Sequence, residues 1–222
     1  MTPSVTVGVV DYGFGNVHSV RHALQSAGAV VALTGDAAVL DACDGLVVPG
    51  VGAFAACMAG LRAIGADRLI RAWAERGRPV LGICVGHQVM FERGVEHGRD
   101  TAGIGLLPGA VERLASARLP HMGWNVVAVP SGSRLFAGVE RRRFYFVHSY
   151  GVHDLAPDPG VDRAVTWCEH GCDRFVAAVE RGALTCTQFH PEKSGDAGAR
   201  LLRNWLDDVA ALAAAGTVAR TV

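Results

Sequence analysis

The sequence has neither a net charge nor a long apolar run, and these two absences exclude several classes of protein. Its 21 basic residues balance its 21 acidic residues, so the overall charge draws the chain neither to nucleic acid nor to an anionic membrane. No stretch reaches the roughly 20 apolar residues that span a bilayer. The N-terminus has only a short apolar run with no basic segment before it, unlike a signal peptide. We expect a cytosolic protein that binds neither nucleic acid nor a membrane.

The cysteines lack the dense, regular spacing of a disulfide framework. Six of them are scattered at positions 43, 57, 84, 168, 172 and 186 of the 222 residues. Disulfides are typical of small secreted domains that cannot build a sufficient core, and this chain is long enough to bury one. We therefore expect reduced cysteines, whose thiols remain available for chemistry.

Alternating strand and helix patterns predict an α/β fold for the first half of the chain. The predicted strands are Val5–Val10, Val30–Leu33, Gly45–Val48 and Pro79–Ile83. The predicted helices are Asn16–Ala27, Phe54–Ile64, Arg68–Arg76 and one that begins within Val85–Arg93. Such alternation is typical of a parallel sheet with helices on both faces, whose functional residues lie at the carboxyl ends of the strands.

Short strands dominate the second half of the chain. They are predicted at Gly109–Arg113, Val126–Val129, Arg143–His148, Ala164–Cys168, Phe175–Glu180 and Leu184–His190. We expect them to add antiparallel strands to the same open sheet, so that residues 1–222 form one domain. A helix over Gly198–Val209 is predicted to close this domain, and the Ala-rich tail after about residue 212 is expected to be frayed.

The most informative residue is Cys84, in the sequence Gly82-Ile83-Cys84-Val85-Gly86. It follows a predicted buried strand and precedes a predicted helix, which is the setting of a nucleophile elbow. Unpaired N–H groups at a helix N-terminus favour the thiolate form of a cysteine placed there. An isolated buried cysteine can also be an ordinary small hydrophobe. A second cluster in the sequence favours the catalytic interpretation.

That second cluster is His190-Pro191-Glu192. A thiol nucleophile needs a base, and the base needs a group that orients it. Pro191 fixes the backbone between the imidazole of His190 and the carboxylate of Glu192, so both can leave an extended segment on the same side. Cys84, His190 and Glu192 are therefore the predicted nucleophile, base and orienting carboxylate.

An acyl-transfer site also needs N–H donors for the developing oxyanion. We expect one donor from the backbone of Val85, directly after the nucleophile. A second is expected from the loop that contains Gly50, Val51 and Gly52, because glycine lets a peptide turn its N–H inward. Taken alone, this loop would be interpreted as an ordinary glycine turn after a strand, and the elbow and the triad beside it favour the oxyanion role.

The pattern Gly-x-Cys-x-Gly-x-Gln, followed far downstream by Phe-His-Pro-Glu, resembles the class I (triad) glutamine amidotransferases, which hydrolyse glutamine to glutamate and ammonia. The resemblance runs from about Val5 to Trp205. Within the family, further stretches resemble the glutaminase subunits that serve histidine biosynthesis. These stretches are Asp11–Asn16, Pro49–Phe54, Pro120–Asn125 and Phe144–Tyr150.

The resemblance implies a substrate site around the predicted triad. Gln88 lies one helical turn after Cys84 on the same face, and by resemblance it contacts the substrate glutamine; a solvent-facing glutamine is the alternative. The main chain at His148, Ser149 and Tyr150 would hold the α-amino and carboxylate groups of the substrate. No cofactor is implied.

The resemblance also implies a partner. Free ammonia would be protonated and diluted, and the chain has no phosphate-binding P-loop or second catalytic domain of its own. In the related subunits the acceptor chemistry belongs to a (β/α)₈-barrel cyclase, bound as a heterodimer. Asn16, Met122 and Trp124 would lie at the contact surface, although a buried core role is the alternative for Trp124.

Two features fit this interpretation less closely. His87 stands where the related subunits usually have an apolar residue such as Met, and we expect it on the helix surface or at the edge of the core. Cys168, His170 and Cys172 could suggest a metal site, but Gly171 favours a hairpin loop, since a zinc site needs a fourth ligand. The alternatives to the leading function are a glutaminase of another pathway, such as pyridoxal phosphate synthesis, and a non-catalytic subunit of the same fold.

Overall fold

A computed structural model describes residues 5–155 and 163–219 of the chain. The strands are β1 Thr6–Val10, β2 Val30–Thr34, β3 Gly45–Gly50, β4 Val80–Cys84, β5 Phe91–Glu96, β6 Arg99–Ala102, β7 Leu107–Arg113, β8 His121–Val126, β9 Arg143–His148, β10 Tyr150–Gly151, β11 Arg163–His170, β12 Asp173–Arg181 and β13 Leu184–Thr187. The helices are α1 Val17–Ser26, α2 Ala37–Asp41, α3 Phe54–Ala63, α4 Ala66–Glu75, α5 Val85–Gln88 and α6 Gly195–Ala219, with a 3₁₀ turn at Pro191–Lys193.

The largest sheet among the described residues has seven strands in the order β11-β12-β13-β4-β3-β1-β2. Strands β2, β1, β3, β4 and β13 are parallel, and β12 and β11 continue the sheet in antiparallel fashion. Every residue of β3 and β4 is buried, which explains why both strands are continuous apolar runs rather than alternating patterns. Helix α1 contacts α6, and α4 contacts both α2 and α3. This α/β architecture confirms the predicted fold class.

The prediction that all the later strands join one sheet is correct only for β11, β12 and β13. Strands β10, β7, β5 and β6 form a separate four-stranded sheet, and β8 pairs with β9 alone. The sequence analysis missed β5 and β6 altogether. The turn between them places two consecutive residues, His97 and Gly98, at positive φ. Hairpin turns of this kind favour such backbone angles, but a histidine is an uncommon residue for the first position.

The predicted helix after Cys84 is much shorter than expected. Helix α5 ends at Gln88, and β5 begins three residues later at Phe91. The carbonyl groups of Val89 and Phe91 accept hydrogen bonds from Ile104 and Gly105, at 2.7 and 3.0 Å. These long-range bonds replace the contacts that a continuing helix would make, so tertiary pairing overrides the local pattern.

Two other boundaries differ from the sequence prediction. The strand predicted at Val126–Val129 lies earlier, at His121–Val126, because it pairs in register with β9. Helix α6 continues past Val209 to Ala219, so the Ala-rich segment that the sequence predicts to be frayed is helical this far. Alanine has the highest helix propensity, which favours this extension.

Aromatic rings connect β9 to the segment that follows β13. Phe144 and Phe189 lie with their ring centroids 4.4 Å apart, and Phe146 contacts Phe189 at 5.5 Å. All three rings are fully buried. Burying an aromatic ring contributes roughly 1.5–3 kcal/mol. This packing fixes the backbone just before His190. Within the described residues we find no helix with the length and apolarity that a bilayer crossing demands.

Candidate active site

Cys84 occupies a sharp turn between β4 and α5. Its backbone angles are φ 57° and ψ −113°, an uncommon conformation for a residue with a side chain. Strain of this kind costs on the order of 1–3 kcal/mol and persists only where the surrounding structure enforces it. The strained turn and the exit from a buried parallel strand are the two features that the sequence predicted for a nucleophile elbow.

Three glycines let the backbone of β3 and the elbow approach each other closely. A Cβ atom on Gly86 would lie 1.8 Å from the carbonyl oxygen of Val48. One on Gly50 would lie 2.5 Å from the amide nitrogen of Gly86, and one on Gly82 would lie 2.6 Å from its carbonyl oxygen. Because these neighbours are backbone atoms, no side-chain rearrangement could relieve the overlap.

His190 and Glu192 form a buried hydrogen-bonded pair next to the elbow. His190 Nδ1 lies 2.8 Å from Glu192 Oε1, and the side chains are only 2% and 1% exposed. A carboxylate can only accept, so Nδ1 carries the proton. The other ring nitrogen, Nε2, is buried and makes no hydrogen bond of ordinary geometry to a described residue. It is therefore the nitrogen available to exchange a proton.

Two opposing effects set the charge of His190. Burial lowers the pKa of its imidazole, but the neighbouring Cys84 and Glu192 outweigh burial and raise that pKa to about 10. The cationic imidazole is thus favoured at neutral pH. A cationic histidine beside a cysteine is the arrangement that keeps a thiolate available for attack.

The backbone that carries His190 is held on both sides. The His190 amide donates to the carbonyl oxygen of Tyr145 at 2.9 Å. The Ser194 hydroxyl donates to the His190 carbonyl at 2.7 Å and accepts from the Tyr145 amide at 2.9 Å. Together with the aromatic packing, these bonds tie the His190 segment to β9.

A cavity of about 220 Å³ opens beside the elbow. Its walls come from five segments that are distant in sequence: the loop after β3, the elbow with α5, the end of β5, the end of β9 with the start of β10, and the segment after β13. The lining residues are Val51, Gly52, Cys84, Val85, Gln88, Glu96, Val147, His148, Ser149, Tyr150, His190 and Lys193. The structure therefore brings Cys84, His190, Gln88 and the His148–Tyr150 segment together at one cavity, as the sequence predicts.

The predicted oxyanion segment lies partly in this cavity. Val51 and Gly52 line it, and Gly52 has a φ of 88°, whereas Gly50 packs against the elbow. Val85 begins α5 directly after Cys84. The role of these residues as N–H donors stays a prediction.

Two side chains that the sequence analysis missed hold the oxyanion segment. The Tyr12 hydroxyl donates to the Pro49 carbonyl at 2.7 Å, and the Cys57 thiol donates to the Val51 carbonyl at 3.3 Å. Burial is the largest influence that raises the pKa of Cys57, to about 11, which keeps its thiol protonated and able to donate. Both residues lie far from Cys84 in the sequence, so no local pattern marks them.

Gln88 has its amide orientation fixed by two acceptors. Its Nε2 donates to the Tyr150 carbonyl and to Gln188 Oε1, both at 2.9 Å. A reversed amide would place two acceptors against each other, so the assignment is unambiguous. Both N–H groups are thereby used, and Gln88 Oε1 remains to accept from a ligand. At 2% exposure, Gln88 is not solvent-facing, and that alternative is wrong.

Glu96 is a further cavity residue that the sequence analysis missed. It is 9% exposed, and its Oε2 accepts from the Phe54 amide at 2.9 Å. A carboxylate that lines a small cavity can bind an ammonium group. Glu96 lies in the unpredicted strand β5, and a single glutamate there carries no recognisable pattern. Only the fold brings it to the cavity.

The predicted partner-contact residues fall into two settings. Met122 and Trp124 are 62% and 53% exposed, so a buried core role for Trp124 is wrong. Asn16 instead lies against the catalytic candidates, with its Nδ2 3.5 Å from Glu192 Oε1. A role of any of the three in partner binding stays a prediction.

His87 is not at the surface or at the edge of the core, as expected, but completely buried. Neither ring nitrogen has a hydrogen-bond partner among the described residues, and the ring contacts Phe91 with centroids 5.1 Å apart. Burial lowers its pKa to about 3. The shortness of α5 explains the error, because every residue of this single turn is enclosed.

Cys168 to His170 end strand β11, and Gly171 and Cys172 form the turn of the β11–β12 hairpin, so the predicted hairpin is present. His170 pairs with Asp173 across it, and Gly171 has a φ of 66°. Cys168 is buried and Cys172 is exposed. Across residues 5–155 and 163–219, no group of three or more histidine, cysteine or acidic side chains is arranged to hold a metal ion.

Comparison with known proteins shows which family this chain is similar to. The family description "Glutamine amidotransferase class-I" matches residues 8–209. The chain is 58% identical over 206 residues to the imidazole glycerol phosphate synthase subunit HisH of Corynebacterium diphtheriae, covering 90% of this chain and 98% of that one. It is also 58% identical over 208 residues to HisH of Nocardia farcinica, covering 92% and 98%.

Solved structures show the same fold at lower identity. A structure described as glutamine amidotransferase superposes with a TM-score of 0.72 at 23% identity, covering 92% of this chain and 98% of that chain. A protein from Thermoplasma acidophilum, described as part of a putative GMP synthase, gives a TM-score of 0.72 at 22% identity, with coverages of 96% and 98%.

Proposed function

The chain belongs to the class I glutamine amidotransferase family, and from this premise we propose that it is the glutaminase subunit of an imidazole glycerol phosphate synthase. The observation that carries the proposal is the meeting of Cys84 with the His190–Glu192 pair at one small cavity. The HisH relatives, at 53–58% identity, favour this synthase over a glutaminase of pyridoxal phosphate synthesis. We extend the proposal to one domain that acts in the cytosol, where a thiol stays reduced.

The first half-reaction makes a thioester and releases ammonia. The Cys84 sulfur attacks the carboxamide carbon of glutamine, and the carbonyl electron pair moves onto oxygen. His190 Nε2 donates a proton to the amide nitrogen as the tetrahedral intermediate collapses. The C–N bond breaks, ammonia leaves, and a glutamyl thioester remains on Cys84.

The second half-reaction restores the enzyme. His190, now neutral, takes a proton from water, and the resulting hydroxide attacks the thioester carbon. Cys84 leaves as a thiolate and glutamate is released. Glu192 accepts the hydrogen bond from Nδ1–H of His190 throughout, which fixes the ring orientation and stabilises its cationic form.

The oxyanion would be stabilised from two directions. The backbone N–H of Val85 lies directly after the nucleophile, and the segment of Gly50, Val51 and Gly52 would supply the second donor. Two carbonyls are already held here: that of Pro49, directly before the segment, by Tyr12, and that of Val51, within it, by Cys57. These two hydrogen bonds therefore fix the orientation of the peptide groups that follow Pro49 and Val51.

The cavity offers complementary groups for the rest of glutamine. Gln88 presents its Oε1 as an acceptor for a substrate N–H group, and the Glu96 carboxylate suits the α-ammonium group. The main chain of His148, Ser149 and Tyr150 would contact the amino acid end of the substrate.

Ammonia delivery requires a partner, and we propose a cyclase subunit with a (β/α)₈ barrel. Strand β8 presents Met122, Trp124 and Val126 to solvent, each more than half exposed. Exposed large apolar side chains grouped on one strand suit an interface, and tryptophan is a frequent anchor. Asn16, beside Glu192, would lie at the catalytic edge of that contact.

The test is glutamate release from glutamine by this chain, measured alone, with the cyclase, and with the cyclase and its nucleotide substrate. We expect stimulation that depends on both additions. Unstimulated but unimpaired hydrolysis would retain the amidotransferase chemistry and overturn the proposed partner. No hydrolysis under any condition, from a folded chain that binds the cyclase, would overturn the catalytic assignment in favour of a non-catalytic subunit.

A further inference from the structure

Two buried histidines, His121 and His148, lie next to each other at the cavity, and His148 is one of its lining residues. His121 Nδ1 lies 3.1 Å from His148 Nε2, and the two residues are 3% and 7% exposed. His148 Nδ1 lies 2.8 Å from the Tyr150 carbonyl oxygen, and His121 Nε2 lies 3.2 Å from Asn125 Nδ2. The four groups make a continuous chain from strand β8 to the cavity wall. Neither ring takes part in the proposed proton transfers.

The groups at the two ends of this hydrogen-bond chain determine which atom donates and which accepts at every step. The Tyr150 carbonyl can only accept, so His148 donates from Nδ1, and in a neutral ring its Nε2 must accept. His121 therefore donates from Nδ1 and accepts at Nε2. Asn125 supplies that last donor, because its Oδ1 already accepts from the Val126 amide at 2.8 Å.

Both rings must be neutral for this assignment to hold. Burial is the largest influence that lowers the pKa of His121, to about 4, and that of His148, to about 3. The titratable groups that face them are other histidines: His170 stacks on His121 with centroids 4.2 Å apart, and His87 and His170 both disfavour a charge on His148. The other aromatic rings that contact the pair, among the described residues, are those of Phe146 and Phe175.

The cavity end of the chain reaches the substrate site through one oxygen atom. The Tyr150 carbonyl accepts from His148 and also from Gln88 Nε2, so both of its lone pairs are used. It is thus a fixed point that sets where the Gln88 amide lies. Gln88 also donates to Gln188, whose Nε2 lies 3.9 Å from the Cys84 sulfur.

We propose that His121 and His148 are positioning residues, whose one-directional hydrogen-bond chain from Asn125 holds the Tyr150 carbonyl, and through it Gln88, in place for glutamine. This inference rests on the proposed function, because it assigns the residues a task in glutamine binding. This role would explain why two polar imidazoles are buried at positions that apolar side chains could also fill. Its anchor, Asn125, lies beside Trp124 in the strand proposed to face the cyclase.

The test uses pairs of substitutions that separate hydrogen bonding from packing. In His121→Asn the amide nitrogen can replace the Nδ1 donor, although the ring is lost. In His121→Phe the ring and its stacking remain, although the donor is lost. His148→Asn and His148→Phe form a second pair by the same logic. His170→Phe is the matched control. His170 stacks on His121 but takes no part in the hydrogen-bond chain, because its Nε2 lies 2.7 Å from the Arg118 carbonyl oxygen instead.

The measurement is kcat and KM for glutamine in the complex with the cyclase and its nucleotide substrate. We expect each Phe variant to lose about tenfold or more in kcat/KM, mainly through KM, because a buried polar partner is left unpaired. Each Asn variant should keep activity within about threefold of the unsubstituted protein, as should the control. Asn variants that lose more than Phe variants would mean that the rings only pack, and this would overturn the proposal.

Nitrogen-15 NMR of the unsubstituted chain gives an independent result if a variant fails to fold. We expect both histidines to carry the proton on Nδ1 and to have an unprotonated Nε2. A ring protonated on Nε2 would overturn the proposed direction. Because the unsubstituted complex supplies its own glutaminase rate in the same assay, failure of the proposed function is distinguishable from failure of this inference.

Discussion

The cavity beside the elbow and the core around α5 each contain a buried histidine, and the two differ in their partners. His190 is 2% exposed and donates to the Glu192 carboxylate, with Cys84 close by. His87 is 0% exposed and, among the described residues, neither of its ring nitrogens has a partner. The pKa of His190 is raised to about 10, and that of His87 is lowered to about 3.

The difference shows that burial alone does not decide the charge of an imidazole. Burial disfavours the cation at both positions, but at His190 the interactions with Cys84 and Glu192 reverse the outcome. The cavity thus holds a charge that can take part in proton transfer, whereas the core holds a neutral ring. Each of the following predictions removes or tests one part of this contrast, beginning with the largest expected effect.

Removing the nucleophile should have the largest effect. Cys84→Ser replaces a thiol that is readily ionised by a hydroxyl that is not, so glutaminase activity should fall by about 10⁴-fold or more. The measurement is glutamate release in the full complex with the cyclase. Ammonia supplied from solution should still support the cyclase reaction, which is the control for an active cyclase, and co-elution of the two subunits is the control for an intact complex. A variant that keeps full glutaminase activity would contradict the assignment of Cys84.

Glu192→Gln should move His190 toward the state of His87. Loss of the carboxylate leaves the imidazole cation without the acceptor that holds its Nδ1–H, and we expect kcat to fall by about 10²–10³-fold. The pKa of His190 should fall as well, which a pH profile of the thiol reactivity of Cys84 would show. Unchanged kcat together with an unchanged profile would mean that Glu192 does not set the charge of His190.

The same substitution should change stability in a defined pH window. The raised pKa means that folded protein holds the His190 proton more tightly than unfolded protein does. This contribution is complete below pH about 6.5, the usual pKa of histidine, and is lost as pH rises toward about 10. Denaturant unfolding should therefore show the largest deficit for Glu192→Gln near pH 6.5 and a smaller one at pH 9.

A substitution outside both environments tests whether partner binding is separate from them. Trp124→Ala should weaken binding to the cyclase by about 10–100-fold, because an exposed tryptophan at an interface is often an energetic anchor. Glutaminase activity of the isolated chain should not change. Val39→Ala, on an exposed residue of α2, is the control. Equal binding by both variants would place the interface elsewhere.

Removing the buried imidazole of His87 should have the smallest effect, and it should be favourable. His87→Met replaces a buried polar ring by an apolar side chain of similar size, so the free energy of unfolding should rise by about 1–2 kcal/mol. The unfolded chain binds a proton at His87 below pH about 6.5, whereas the folded chain does not do so until its pKa of about 3. The advantage of the variant should thus grow as pH falls from 6.5 to 4.

The control for this last prediction is His22→Gln, at an exposed position of α1. It should leave the pH dependence of unfolding unchanged. A His87→Met variant that is less stable at every pH would show that the imidazole has a partner after all, such as a buried water molecule.

The sequence predicted the residues whose signal is local. Gly82 to Gly86 mark a strand, a sharp turn and a helix start within a few positions, and His190-Pro191-Glu192 is a compact motif. The parallel strands of the first half were also predictable, because strands buried on both faces are continuous apolar runs. Their boundaries differ from the prediction by one or two residues.

The contacts missed by the sequence analysis are long-range ones. Glu96 reaches the cavity only because β5 forms, and β5 forms only because the chain near Gly103 pairs with it. His121 and His148 are joined by the register of β8 with β9, in which they are direct partners. No hydrophobic periodicity or short motif encodes such strand pairings, so they could be identified only from the three-dimensional structure.

The crowding of Gly50, Gly82 and Gly86 at the elbow limits how this enzyme could be re-engineered. A combinatorial library that randomises these positions would be almost empty of functional clones, since every larger side chain overlaps backbone rather than a movable neighbour. Paired changes would not help either, because Gly50 and Gly86 approach each other directly. Diversity is better placed at Val147, which lines the same cavity from the end of β9 and lies outside this crowded contact.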